Sequence, residues 1–473
     1  MRHGLAIAIF AAAIVAEAVF YAAAGPETIQ TGVQGMARIL GLPYNTFLVL
    51  LGTGLLGLAS GVVGAFAVLR RRSLIGDAVS HAALPGLCAA FFVLGTRQFE
   101  GMLLGATLSG LLGVFVIAWL QRHTRIKSDA AIGIVLSVFY GLGIVMSRII
   151  QDDPSGQQAG LDSFLLGKTA GMVSQDLFLI AVVAANVVLI VALLHKEFKL
   201  IGFDPSFAAV QGWPVLLIDG VLMALLVATV IIGLPAVGVV LMAALVILPG
   251  ISARFWTDRL STLLVLAGLF GLLTGVTGTW VSTRAADLPA GAVIVLAGAG
   301  LFFLSMLVAP RRGVAARLAE RAAASWQAGR DHLLRALYEV SERTLPERPA
   351  VRLSALRGAR KWSAAMTAWL LFVAKRRGEV ETAGGDAVRL TALGVETAAE
   401  IVRRHRLWEL YLVEQAAIAA DHVDRDADEI EHVLTPEIAD RIETVLRESG
   451  KLPDEVVPTS VHPVEAAEPP KDR

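Results

Sequence analysis

The chain has 473 residues, 55% of them hydrophobic and 17% charged. A soluble domain carries about a quarter charged residues, so an ordinary soluble protein is excluded, as are collagen-like and wholly disordered chains. The net charge of zero excludes a uniformly basic nucleic-acid binder, and the single cysteine, Cys88, excludes a disulfide framework or a thiolate zinc finger. The charge is unevenly spread. Residues 1–312 hold 18 basic and 14 acidic side chains, whereas residues 313–473 hold 23 and 27.

Apolar runs of about 20 residues, the length that spans a bilayer, recur through the first part. They fall at 5–24, 45–69, 79–96, 101–120, 128–147, 178–195, 214–232, 235–251, 260–282 and 289–310. Pro85, Pro235 and Pro249 shorten or interrupt three of them, so nine or ten spanning helices are expected. The first run follows Arg2 and His3 but precedes no polar mature domain, so it reads as a retained helix and not as a secretory signal. With the N-terminus inside, thirteen Lys/Arg fall in cytoplasmic segments and five in external ones. That excess satisfies the positive-inside rule and puts both termini in the cytoplasm. Glycine pairs four apart, Gly57/Gly61, Gly101/Gly105 and Gly271/Gly275, suit close helix packing.

Charges within spans are costly and therefore informative. Asp77 and His81 are four apart and share a helix face. A carboxylate and an imidazole suit a borderline divalent metal such as manganese, iron or zinc. The competing reading pairs Asp77 with Arg70–Arg72 and gives His81 one buried hydrogen bond. The longest cytoplasmic connection, Lys196 to Trp213, holds a helix start at Asp204-Pro205 and a glycine stop at Gly212. Between them lies a short amphipathic helix with a small-residue face that includes Ala208 and Ala209. No Gly-x-x-x-x-Gly-Lys-Ser/Thr phosphate loop occurs, so the chain does not bind ATP in that way.

After Arg311-Arg312 the composition turns Ala/Arg/Glu/Leu-rich, and 313–345 reads as helix. A break follows at 346–349, then two or three short helices over 350–377, then a hairpin over 379–390 around Gly384-Gly385. That order suggests a winged helix. Further helices are expected at 391–417, 424–434 and 436–447, with a disordered tail from Ser449. Asp428, Glu431 and His432 share one helix face, as do His405 and Glu409 on the preceding helix, and Asp424 lies nearby. Such groups can hold a divalent ion, although most acidic runs are solvated faces. The segment 358–377 stands where a recognition helix would. Its Trp369-Leu370-Leu371-Phe372-Val373 run favours a packed helix over a DNA reader, although Arg360, Lys361 and Ser363 suit phosphate contacts.

The string "LRRRSLIGDAVSHAALPG" resembles the signature of the manganese/zinc/iron ABC-importer permeases. The likeness continues in order through "DAAIGIVLSVFYGLGIV", "LDSFLLG", "FDPSFAAVQGWP", "LPAVGVVLMAALVILPGISAR" and "DLPAGAVIVL", and covers about 45–310. It implies that Asp77 and His81 coordinate metal in the translocation path. It also implies that Asp204, Pro205, Ala208, Ala209 and Gly212 form a coupling helix for a separate ABC ATPase subunit. The chain is then a permease and not itself an enzyme. An extracytoplasmic metal-binding protein and a second permease subunit, in a homo- or heterodimer, complete the implied partners.

Residues about 330–448 resemble the iron-dependent repressors, which include the diphtheria-toxin repressor and the manganese transport regulators. The matching strings are "LLRALYEV", "RLTALGVETAAEIVRRHRLWELYLVE" and "DADEIEHVLTPEIADRIETVL". The resemblance implies a primary metal site at His332, Asp428, Glu431 and His432, and an ancillary site at His405, Glu409 and Asp424. Oxygen where the family often has sulfur argues for manganese or iron over zinc.

The expected architecture is an all-α polytopic membrane protein with a cytoplasmic winged-helix-like and helical metal-binding and dimerisation domain. Its parts are a permease domain (1–312), a helical linker (313–330), a winged-helix-like domain (331–390), metal-binding and dimerisation helices (391–448) and a disordered tail (449–473). The expected function is the permease subunit of an ABC-type divalent-metal importer in a bacterial inner membrane, fused to a metal-sensing domain. A secondary transporter without an ATPase and a membrane-tethered metal-dependent transcription regulator are the alternatives.

Overall fold

The computed structural model describes residues 26–70, 72–95, 98–151, 167–284, 288–344, 347–354, 356, 362–415, 436–450 and 457–458. The chain divides into two compact units, Met1–Arg317 and Leu318–Arg473.

In the first unit α1 (Pro26–Ile39) leads into α2 (Tyr44–Leu69), α3 (Ile75–Leu94), α4 (Phe99–His123) and α5 (Ser128–Gln151). After α6 (Ser174–Leu193) come two short helices, α7 (His195–Phe203) and α8 (Pro205–Val210), then α9 (Val215–Val237), α10 (Val239–Arg254), α11 (Leu260–Arg284) and α12 (Ala290–Val308). Eight of these are long and apolar enough to cross a membrane, and α10 is a ninth, shorter apolar helix. The run 5–24 lies outside the described residues.

The prolines interrupt less than expected. Helix α3 runs straight through Pro85 and α9 through Pro235. The chain breaks instead at Gly238, whose φ of +84° only glycine adopts readily. The carbonyls freed at this break find donors. The Lys168 amide donates to Pro235 O at 2.9 Å, and the Thr169 hydroxyl donates to Ala236 O at 2.7 Å. In a bilayer no water would do this, so the segment 167–171 completes the helix end.

Helix α2 is the centre of the bundle: 78% of its apolar window is buried, against 17% for α12. The outward residues of α4, among them Leu104, Leu108, Leu112 and Phe115, are apolar and exposed. In water such a face would aggregate; against lipid tails it is at equilibrium. Lipid gives helices no hydrophobic drive to associate, so close backbone approach must hold them. Two of the glycine pairs meet each other for this purpose. Gly57 packs on the backbone of Gly271, Gly61 on that of Ala267, and Gly275 on that of Thr53. The Thr53 and Thr279 hydroxyls share a hydrogen bond of 2.9 Å across the same seam.

The second unit is carried by α13 (Val314–Ser341), β1 (Val351–Arg352), α14 (Ala364–Arg376), β2 (Val380–Thr382), β3 (Ala387–Leu390), α15 (Ala392–Gln415) and α16 (Pro436–Glu448). The three strands form an antiparallel sheet of order β1-β3-β2, with Val351 opposite Val388 and Glu381 opposite Arg389. The hairpin turns at Gly384 and Gly385, both at positive φ. The start of the 350–377 stretch, expected as helix, is strand β1. It is only two residues long, and its pairing with β3 decides its conformation. Leu333, Leu334 and Leu337 of α13, Leu370 and Leu371 of α14, and Val402 of α15 close one core over the sheet.

Candidate functional site

Asp77 and His81 stand on the first turns of α3, with His81 Nε2 3.4 Å from Asp77 Oδ1. Both side chains are partly exposed, at 29% and 18%. Tyr140 of α5 packs edge-on against the His81 ring at 4.8 Å between centroids. His81 Nδ1 is buried and has no hydrogen-bond partner. The Pro85 ring lacks an amide hydrogen, so the His81 carbonyl also loses its usual helical donor.

Of the arginines expected as competing partners, Arg70 and Arg72 are engaged elsewhere, and Arg71 lies outside the described residues. Arg70, at the end of α2, forms an ion pair with Asp219 of α9, and Arg72 Nη1 lies 3.6 Å from the same carboxylate. Arg70 also donates to Ile201 O of α7 at 3.3 Å. Among the described residues, which leave out Arg71, no arginine forms an ion pair with Asp77. The sequence reading missed Asp219, although a lone carboxylate in the run 214–232 is itself a signal.

In the connection between α6 and α9, Asp204 caps α8 by accepting the Phe207 amide at 2.8 Å, and Pro205 fills the first helical position. The Gly212 and Trp213 amides close the helix on the Ala209 and Ala208 carbonyls, with Gly212 at φ +78°. Ala208 is fully buried and faces its own unit, so it does not belong to an outward small-residue face. That face is carried by Ala209, Gly212 and the exposed apolar residues Phe203, Phe207 and Val210, the last 88% exposed.

In the second unit His405 and Glu409 of α15 lie together and buried, His405 Nε2 being 3.0 Å from Glu409 Oε1. His332 is on α13. Asp424, Asp428, Glu431 and His432 lie outside the described residues. Among the described residues no three His, Cys, Asp or Glu side chains cluster as a metal site. His405 Nδ1 is 2.9 Å from Arg335 Nη1. A guanidinium there does not fit a metal ion bound by His405.

On α14, Leu370 and Leu371 are buried, whereas Trp369 and Phe372 are exposed and the Trp369 ring lies 5.6 Å from that of Trp326, tilted by 58°. Ser363 is occupied as the helix cap, accepting the Met366 amide at 3.2 Å. Arg360 and Lys361 lie outside the described residues. Arg330 of α13 forks onto the buried Glu379, with Nε donating to Oε2 at 2.9 Å. That hydrogen bond, with the charges of Glu379 and Asp331, holds the guanidinium above its ordinary pKa.

A bundle of apolar helices seamed by glycine, with a carboxylate-imidazole pair on one span, defines a multi-pass membrane permease. A family model described as the ABC 3 transport family matches residues 44–309. The chain belongs to that family. A second model, the iron dependent repressor, metal binding and dimerisation domain, matches residues 391–455. The manganese transport system membrane protein MntC of Bacillus subtilis (strain 168) is 40% identical over 410 residues, which is 87% of this chain and 93% of the relative. The zinc transport system membrane protein TroC of Treponema pallidum (strain Nichols) is 47% identical over 278 residues, covering 59% of this chain and 93% of the relative. The solved structure of PsaBC from Streptococcus pneumoniae in complex with Fab is 31% identical with a TM-score of 0.50, over 56% of this chain and 91% of that chain.

Proposed function

We propose that the chain is the permease subunit of a bacterial inner-membrane importer of a divalent transition metal, manganese foremost, with iron or zinc as alternatives. The ion is handed over by an extracytoplasmic binding protein and passes Asp77 and His81 between two permease subunits. ATP binding by a separate ATPase drives the cycle through α8, whose exposed Phe207 and Val210, with Phe203 at the end of α7, offer the apolar contact. Both termini face the cytoplasm, as the basic loops require. The second unit senses cytosolic metal through His332, Asp428, Glu431 and His432 and biases the permease towards rest.

The observation that carries the transport reading is the Asp77–His81 pair together with the capture of Arg70 and Arg72 by Asp219. A carboxylate paired with arginine would be structural; among the described residues Asp77 is paired with His81 and with no arginine. The carboxylate–imidazole pair suits manganese, iron or zinc. The test is radioactive manganese uptake by Asp77→Asn and His81→Gln, both near-isosteric. Uptake should fall at least a hundredfold while the ATPase still co-purifies. Near-normal accumulation in both variants sinks the reading.

A further inference from the structure

The buried ladder between α13 and α15 changes what the second unit can bind. Arg335 and Glu339 are four apart on α13, and His405 and Glu409 are four apart on α15. The order across the helix pair is Glu339, Arg335, His405, Glu409. Arg335 Nε donates to Glu339 Oε1 at 2.7 Å, Nη1 meets His405 Nδ1 at 2.9 Å, and His405 Nε2 meets Glu409 Oε1 at 3.0 Å. Arg335, His405 and Glu409 are 5%, 1% and 1% exposed.

Hydrogen-bond chemistry fixes the protons. A guanidinium has donors only, so His405 Nδ1 must present its lone pair to Arg335. Nε2 then carries the ring proton and donates it to Glu409. The imidazole is neutral, and neither nitrogen has a lone pair left for a metal. An ion bound here would also stand within hydrogen-bonding range of a fixed positive charge in a site of low polarity, where like charges repel strongly.

We infer that Arg335 is the resident cation of this position and does the work of an ion, tying α13 to α15 by side chains alone. The pair His405–Glu409 is therefore a structural acceptor for Arg335 and not an ancillary metal site. Metal sensing in this unit then falls to the other ligand set only. The inference goes beyond the transport reading and stands or falls separately from it, because its readouts are ion count and stability and not uptake.

The test uses the purified full-length chain in detergent, equilibrated with manganese, dialysed and analysed for bound ion per chain. Glu409→Gln keeps an acceptor for His405 but weakens any metal ligand. The expected count equals that of the parent; loss of one ion per chain overturns the proposal. Arg335→Ala should lower the unfolding midpoint without metal and, by exposing Glu339, His405 and Glu409 to a new cation, show a larger manganese-dependent rise than the parent, whose other ligand sets also bind the ion. Equal manganese response in parent and variant also overturns it. If Arg335→Ala fails to fold, Arg335→Lys, which keeps a charged donor, should fold and show the parent's ion count; one additional bound ion would refute the resident-cation role.

Discussion

The seam between α2 and α11 permits a quantitative test of how the bundle is held. A Cβ placed on Gly57 would stand 2.1 Å from Gly271 O, about 1.3 Å inside the 3.4 Å at which ordinary contact begins. The obstacle is backbone, so Gly57→Ala must push the helices apart by roughly an ångström. A gap of that size forfeits about a quarter to a half of each dispersion well along the seam. It also stretches the 2.9 Å bond between Thr53 and Thr279. Overpacking costs about 1–3 kcal/mol and a hydrogen bond within a bilayer about 0.6, so the total is about 2–3 kcal/mol. Cys88 is the only cysteine and is fully buried, so it reports opening through its reaction with a fluorogenic thiol reagent. At about 1.4 kcal/mol per tenfold, Gly57→Ala should be labelled on the order of 30- to 100-fold faster than the parent. The controls are Gly133→Ala and Gly300→Ala, where an added Cβ meets nothing within 4 Å. They should label at the parent rate. If Gly57→Ala is labelled as slowly as Gly300→Ala, close backbone contact is not what holds the seam.

Asp219→Asn should release Arg70 and Arg72 and loosen the junction of α2, α7 and α9 by about 2 kcal/mol, less than a fully buried pair because Asp219 is a quarter exposed. Thermal unfolding measures this, and Arg70→Ala combined with Asp219→Ala should recover part of the loss. Phe207→Asp or Val210→Asp should release the ATPase from the solubilised complex with the permease still folded. Ala208→Leu, which overfills a buried position, should instead destabilise α8 itself; unchanged co-purification of the Asp variants would remove α8 as the docking element. The double variant Glu431→Gln/His432→Ala, loaded with rising internal manganese, should keep importing where the parent slows. Equal slowing of both would end the feedback reading.

What the sequence made legible follows the range of the interactions involved. Nine of the apolar runs appear as helices because a bilayer-length run of Leu, Val, Ala and Gly has no other way to satisfy its backbone. The caps of α8 at Asp204 and Gly212, and the hairpin at Gly384-Gly385, were legible because each is decided within about four residues. The failures share a different cause. Strand β1 exists only through its pairing with β3, some 36 positions away by register. The partner of Arg70 is Asp219, 149 residues on, and the partner of His405 is Arg335, 70 residues back. Motif spacing brought His405 and Glu409 together correctly, but spacing on one helix cannot show which charge the facing helix supplies. On α3 no arginine among the described residues pairs with Asp77 or His81, and on α15 the facing helix sets the Arg335 guanidinium against His405. Two i, i+4 carboxylate–imidazole pairs thus differ in what the neighbouring helix sets against them, an aromatic ring at His81 and a guanidinium at His405.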